Sequence, residues 1–185
     1  MFMFERLTAT KRAAFYETLK RAATGASDDS QISETKIVLT ISGGAPTERY
    51  EYRLEVRGDG VIESSFMDEL RAAKPETTRA VLERDAAAEV FRQVLDARVL
   101  ELPQISDKIE PDSLIMTLTI QSGEVAKLVQ LPVFEQDTEA ARHLGQEAFA
   151  FPVREGLAII RAAAAPGLIQ VLTALGGVQD KSRQY

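Results

Sequence analysis

The chain has 185 residues, of which 45% are hydrophobic and 27% are charged, a balance typical of globular proteins. Its 22 basic and 28 acidic side chains give a formal net charge of -6, which argues against nonspecific nucleic-acid binding, because such binding depends on Lys and Arg at phosphates. Cysteine is absent, and this excludes disulfides, thiolate metal sites and cysteine nucleophiles.

The first predicted element is an amphipathic helix over residues 10–23. Phe15, Leu19 and Ala22 share one of its faces at the i, i+4, i+7 spacing. Five basic and two acidic side chains give residues 1–23 a charge of +3. A basic amphipathic helix can lie on a membrane. This helix is short and carries acidic residues, so docking on the protein's own acidic body is favoured over a membrane or an acidic partner.

Residues 36–67 predict a ribbon of three antiparallel strands. A small, polar and flexible linker precedes this ribbon and ends at residue 33. The middle strand alternates without exception between charged and apolar residues, as in a half-buried sheet. Gly58-Asp59-Gly60 predicts the hairpin turn that follows it. The predicted buried face carries Tyr50, Tyr52, Leu54 and Val56. The opposite face carries a charged ladder, composed of Arg49, Glu51, Arg53, Glu55 and Arg57.

Two interpretations of the charged ladder stay open. A solvated sheet face with cross-strand ion pairs is the ordinary one, and each such pair contributes about 0.2–1 kcal/mol. Alternatively, the ladder is a docking surface for a protein partner, because charged interfaces favour specificity and fast association.

A helix is predicted over residues 75–98, and its packed part spans about 79–98. Pro75 suits a first helical turn, and Asp85 can cap a fresh start after a break. The helix ends before Pro103, since the residue before a proline is pushed out of the helical region. Its apolar stripe is typical of a helix lying on a sheet and consists of Val90, Phe91, Val94 and Leu95.

A second antiparallel ribbon is predicted over residues 113–133, with a turn at Ser122-Gly123. Two amphipathic helices are predicted beyond it. The expected fold class is therefore α+β: the ribbons 36–67 and 113–133 with one packed helix, plus N-terminal and C-terminal helical extensions. We expect three regions: an N-terminal arm and linker over 1–33, an α+β core over 34–134, and a C-terminal extension over 135–185.

His143 is the chain's one histidine, and Glu139 and Glu147 lie four residues before and after it on a predicted helix. An imidazole with two carboxylates suits a zinc or iron site, or acid–base chemistry. Three ligands on one helix rarely converge on one ion, however, so a solvated helix face is favoured. The sequence thus predicts no catalytic residue, no metal site and no cofactor.

Residues 34–134 contain a first strand leading into Ser42-Gly43-Gly44, an alternating second strand, and a helix that ends at Leu102-Pro103. A strand reading Leu118-Thr119-Ile120 then precedes a glycine hairpin. In this layout the chain resembles the emfourin group, small bacterial inhibitors of thermolysin-type metalloproteases. The resemblance implies protease inhibition, and it carries over no individual inhibitory residue.

These patterns favour a non-enzymatic protein-binding or regulatory protein of a bacterial-type cytoplasm, with a protein partner and no nucleic acid. One alternative is a structural subunit of an oligomer or larger assembly. Apolar surface on the terminal helices suggests this alternative. Another is an enzyme or small-ligand binder with a site between sheet and helices. That alternative requires a cluster of polar groups, which the sequence pattern does not reveal.

Overall fold

The computed structural model describes residues 2–25, 30–43, 50–68, 74–102, 104 and 114–133. Seven strands form one sheet: β1 (Phe2–Met3), β2 (Thr35–Gly43), β3 (Tyr50–Arg57), β4 (Val61–Asp68), β5 (Glu76–Val81), β6 (Leu114–Ser122) and β7 (Val125–Val133). Their order across the sheet is β1-β7-β6-β2-β3-β4-β5. Strands β2 to β7 pair antiparallel, and the two-residue β1 joins β7 in parallel.

Three helices of the described residues accompany the sheet: α1 (Ala9–Ala23), α2 (Ser30–Ser33) and α3 (Arg84–Asp96). Short 3-10 turns at Phe4–Arg6 and Val99–Glu101 precede α1 and follow α3. The Thr8 hydroxyl accepts a hydrogen bond from the backbone N–H of Lys11 at 3.4 Å and so caps α1. The predicted first helix is therefore confirmed.

The hydrophobic core lies between one face of the sheet, here called the inner face, and helices α1 and α3. Strand β2 is central, and its Leu39 lies opposite Leu54 of β3 and Leu118 of β6. All three leucines are at most 1% exposed. The buried side chains of the two helices join the same cluster and include Phe15, Leu19, Ala22, Val90, Phe91 and Val94.

The β2–β6 pair joins the two predicted ribbons into a single sheet. The first ribbon consists of β2, β3 and β4, and the second consists of β6 and β7. An α+β fold built from antiparallel ribbons and a packed helix is thereby confirmed. The alternation of β3 is also confirmed, because Tyr52, Leu54 and Val56 are buried at no more than 6% exposure.

The predicted start of the packed helix was wrong. Residues 76–81 do not begin a helix but form β5, which pairs antiparallel with β4. Helix α3 then spans Arg84–Asp96, within the predicted limits of about 79–98. Thr77, Thr78 and Val81 are β-branched residues that favour an extended strand, and β4 offers them a partner.

Residues 30–33, predicted as part of a flexible linker, form the single turn α2, and its Ile32 is 2% exposed in the core. The predicted C-terminal extension over 135–185 lies outside the described residues. Within the described ranges, no helix is long and apolar enough to cross a membrane.

Candidate functional site

The charged ladder lies on the sheet face opposite the core, here called the outer face. Glu51, Arg53, Glu55 and Arg57 alternate along β3 with buried inner-face residues, and all four are half-buried. Arg49, the fifth predicted member, lies outside the described residues. Helices α1 and α3 place their buried side chains in the core, on the inner face. The described neighbours of the ladder on the outer face are therefore side chains of the adjacent strands β2 and β4.

Glu55 is the centre of an ion-pair network across β2 and β3. Its carboxylate accepts hydrogen bonds from Arg53 Nη2 at 2.7 Å and from Lys36 Nζ at 3.2 Å. Its register partner on β2 is Val38, which is 5% exposed. Burial alone would raise the pKa of Glu55, but the hydrogen bonds and charges of Arg53 and Lys36 outweigh it and lower the pKa.

A groove of about 440 Å³ adjoins this network, where β2 begins and β6 turns into β7. We call it the acidic groove, because Glu34 and Glu124 line it and neither has an ion-pair partner among the described residues. The other charges that line it already have partners: Lys36 with Glu55, and Arg57 with Asp59 at 2.7 Å. Its remaining lining residues are Ser33, Gln121 and Gly123.

A second candidate site surrounds Lys127, which sequence reasoning had treated as an ordinary strand residue. Lys127 lies opposite Ile120 on the inner face and is only 2% exposed. Its ammonium group donates a short hydrogen bond to the Glu5 carboxylate and another to the Leu102 carbonyl oxygen at 2.6 Å. A buried lysine needs such partners, because removing the charge from water is costly.

Lys127 lies against a groove of about 450 Å³, here called the lysine groove. The chain's N-terminal segment forms one wall, and the 3-10 turn after α3 forms the other. Gln104 is held to β7 by its carbonyl oxygen, which accepts a hydrogen bond from the backbone N–H of Gln130 at 2.7 Å. The lining residues are Phe4, Glu5, Arg12, Tyr16, Leu100, Glu101, Leu102, Gln104 and Lys127.

Phe4 brings two cations together in the lysine groove. The Arg12 guanidinium lies 5.4 Å from the centroid of the Phe4 ring, and Lys127 Nζ lies 6.0 Å from it. The ring also packs against Phe15 at 5.6 Å and edge-on against Tyr16 at 6.1 Å between centroids. These contacts fix the position of Phe4, and with it the backbone that carries Glu5.

The pKa of Glu5 reflects this environment. Burial would raise it, but the hydrogen bond from Lys127 and the positive charges of Lys127 and Arg12 lower the pKa below its ordinary value of 4.5. Glu5 is therefore a carboxylate at neutral pH, and Lys127 keeps its counter-charge.

The predicted cluster of Glu139, His143 and Glu147 lies outside the described residues. Within the described part of the chain, no group of three or more His, Cys, Asp or Glu side chains could hold a metal ion. The signal that sequence reasoning missed is Lys127 itself, a charged residue at an apolar position of the strand pattern Val125, Lys127, Val129, Leu131 and Val133.

Comparison of the chain with models of known protein families gives no match, and comparison with curated proteins gives none either. The charged ladder with its acidic groove, and the lysine groove on the other side of the sheet, are therefore the features from which a function can be inferred.

Proposed function

We propose that this protein is a non-enzymatic protein-binding or regulatory protein that docks its partner on the outer face of the sheet. The observation that carries this proposal is the outer-face charge pattern. The Lys36–Glu55–Arg53 network is held in place by hydrogen bonds on β2 and β3, and Glu34 and Glu124, which have no ion-pair partner among the described residues, lie beside it on turns. Strands hold the network more rigidly than loops would, so a partner meets a preorganised set of charges.

The chemistry of the acidic groove selects the partner. Lys36 and Arg57 are neutralised by Glu55 and Asp59, whereas Glu34 and Glu124 have no ion-pair partner among the described residues. The groove therefore favours a protein that inserts a Lys or Arg side chain, since opposite charges attract and like charges repel across an interface. The ladder beside it, with Arg53 and Glu51, fixes the orientation of the partner through charges of both signs.

The specific form of this proposal is inhibition of a thermolysin-type metalloprotease, which the resemblance to the emfourin group suggests. Two segments that carry the resemblance lie on neighbouring central strands. Ser42 and Gly43 end β2, and Leu118-Thr119-Ile120 belongs to β6, which pairs with β2 along its whole length. Both segments therefore belong to one sheet, and the activity that the resemblance implies can be tested directly.

Hydrolysis of a peptide substrate by a purified thermolysin-type protease tests this form directly. We expect the full chain to lower the hydrolysis rate in a saturable manner. Arg53→Glu in the ladder and Glu124→Lys at the acidic groove should each weaken inhibition by about tenfold or more, because each places a wrong charge at the interface.

The matched controls are Lys20→Glu and Glu17→Lys, which reverse the two charges of an exposed pair on α1. Both should inhibit as the wild type does. Unchanged hydrolysis at large molar excess of the chain would contradict the protease form of the proposal.

The broader proposal has its own test in the cells that make the protein. A photo-crosslinking amino acid at Thr40, on the outer face, should capture one specific protein, and the same group at Glu17 on α1 should not. Loss of this product in Glu124→Lys would assign the contact to the acidic groove. Equal capture from both positions, or from neither, would contradict docking on the outer face.

A further inference from the structure

We propose that the lysine groove is a binding site for a small organic acid, a carboxylate joined to an apolar body. The site is on the opposite side of the sheet from the proposed docking surface and takes a different class of ligand. It therefore does not rest on the proposed protein-binding function. Three properties of the groove carry the inference: its free hydrogen-bond donors, its charge and its apolar walls.

The donors come from Arg12 and Lys127. A guanidinium has five N–H donors, and Arg12 uses one of them on the Glu5 carbonyl oxygen at 2.7 Å. The described residues supply it with no other acceptor. An ammonium has three donors, and Lys127 uses two of them, on Glu5 and Leu102. The remaining donors belong to two cations that both lie near the Phe4 ring and line the same groove, where they can meet a ligand carboxylate.

The charge of the groove favours an anion over a cation. Glu5 pairs with Lys127, and Glu101 pairs with Arg98 at 2.8 Å. Arg12 is therefore the charged lining residue without an ion-pair partner among the described residues. The face of Phe4 already attracts two cations. A ligand carboxylate would meet this positive charge and unused donors, whereas a ligand amine would meet a like charge.

The apolar walls and the size of the groove fit a small organic molecule. Leu100 and Leu102 line one wall and Tyr16 lines the other. A volume of about 450 Å³ falls within the range of about 300–1,000 Å³ that is usual for ligand sites. Tyr16 is held edge-on to Phe4, so an apolar ligand body would meet walls that are already in place.

A purely structural role explains less of the arrangement. Lys127 does fix the N-terminal segment to β7, but a well-packed apolar side chain would usually do so with equal or greater stability. A tether also uses only one of the five donors of Arg12, on the Glu5 carbonyl oxygen, and leaves the others of this groove-lining guanidinium without a role. A buried ammonium and a guanidinium that line one groove are donors that a ligand carboxylate can use.

Two-dimensional NMR of the uniformly ¹⁵N-labelled full chain tests the proposal, with 3-phenylpropionate as the probe and 3-phenylpropionamide as its uncharged match. We expect the acid to give saturable shifts of amide signals from residues 4–16, 100–104 and 126–128. The amide should bind at least about tenfold more weakly, because it lacks the charge that Arg12 and Lys127 recognise. Equal binding of acid and amide, or shifts spread over the surface, would overturn the proposal.

Arg12→Gln is the informative variant, because Arg12 is exposed and its replacement leaves the buried Lys127–Glu5 pair intact. It should weaken binding of 3-phenylpropionate about tenfold or more, whereas Lys20→Gln on the same helix should leave binding unchanged. Equal affinities of wild type and Arg12→Gln would overturn the assignment.

A tripeptide that ends in phenylalanine with a free carboxylate also offers a carboxylate joined to an apolar body, but as a peptide terminus instead of a small molecule. Weaker binding of this peptide than of the free acid supports a small-molecule site. Tighter binding would overturn that and assign the groove to a peptide terminus.

Discussion

Lys127 occupies a position that the sheet otherwise fills with apolar side chains. The cross-strand row in which it lies runs from Val56 through Ile37 and Ile120 to Lys127. A single charge at the end of such a row is tolerated because Glu5 and the Leu102 carbonyl replace the water that it loses. The same two bonds hold the N-terminal segment and the turn after α3 against β7, so one side chain organises three separate parts of the chain.

The Lys127–Glu5 pair predicts acid sensitivity. A carboxyl group whose folded pKa lies below its unfolded value stabilises the protein above the unfolded value, here 4.5, and this stability is lost as the pH falls through the folded pKa. Because 38% of the Glu5 side chain is exposed, we expect this group to contribute about 1 kcal/mol. Urea unfolding of wild type and Glu5→Gln from pH 7 down to pH 3 measures it.

At neutral pH, Glu5→Gln should be the less stable protein, and the two curves should converge at the acid end. Glu17→Gln is the matched control, because the Lys20–Glu17 pair is exposed on both sides and its removal should change little. A constant difference between wild type and Glu5→Gln at every pH would contradict the role given to the Glu5 charge.

At the scale of elements, the β3–β4 turn and the single turn α2 approach each other closely. A Cβ atom at Gly58 would lie 2.5 Å from the backbone oxygen of Ile32 and 2.7 Å from its Cγ2 atom. The backbone N–H of Gly58 also donates to the Thr35 carbonyl oxygen at 2.8 Å. Glycine at this position therefore permits α2 to pack against the hairpin, and with it the burial of Ile32.

Gly58→Ala should destabilise the protein by about 2–3 kcal/mol, because backbone and side chain of Ile32 would both have to move. Gly123→Ala is the comparison, since its φ of +54° is unfavourable for alanine while an added Cβ atom would lie 3.8 Å from Glu34 Oε2. It should lose only about 1 kcal/mol. Denaturant midpoints of the two variants give the order, and a Gly58→Ala protein as stable as Gly123→Ala would contradict the close approach.

The elements differ in how far the sequence predicts them. The alternation of β3 and the stripe of α3 are local patterns, so the ribbon and the helix could be predicted from neighbouring residues. Strand β5 could not, because Pro75 also suits the first turn of a helix, and the partner strand β4 decided the outcome. A two-residue strand such as β1 leaves no pattern at all; its pairing with Val125 and Ala126 is purely tertiary.

At the scale of the whole molecule, α1 and the central strands share one core. Leu19 of α1 and Leu39 of β2 are both at most 1% exposed within the same cluster. The sequence predicts residues 1–33 as a separate arm, since a linker follows the helix. The shared core instead leads us to expect that arm and sheet unfold together, in one cooperative transition.

Leu39→Ala tests this expectation, because it creates a cavity at the centre of the sheet and should cost about 3 kcal/mol. Hydrogen exchange should then lose protection by about a hundredfold, to the same extent at Leu19 as in β2. Leu128→Ala on the outer face is the control and should cost less than about 1 kcal/mol. Unchanged protection of α1 in Leu39→Ala would show that the arm is a separate unit.

Whether a candidate site could be predicted from the sequence also depends on how far apart along the chain its residues lie. The charged ladder is local to β3 and was predicted from alternation alone, whereas its partner Lys36 comes from the neighbouring strand β2. The lysine groove could not be predicted, because Glu5 and Lys127 are 122 positions apart and no spacing rule links them. The sequence offers one sign of this groove: Lys127 stands at a position of β7 where the strand pattern calls for an apolar residue.

The central β2–β6 pairing also constrains the order of events during synthesis. Strand β2 and its hairpin with β3 are complete long before β6 leaves the ribosome, so the nascent chain holds one edge of its central strand open. Contacts between residues so far apart slow folding, and an open edge invites pairing with other chains. The charged ladder on the early hairpin thus has a second value, because covering its Arg and Glu side chains with another nascent chain would remove these charges from water and so disfavours association before β6 arrives.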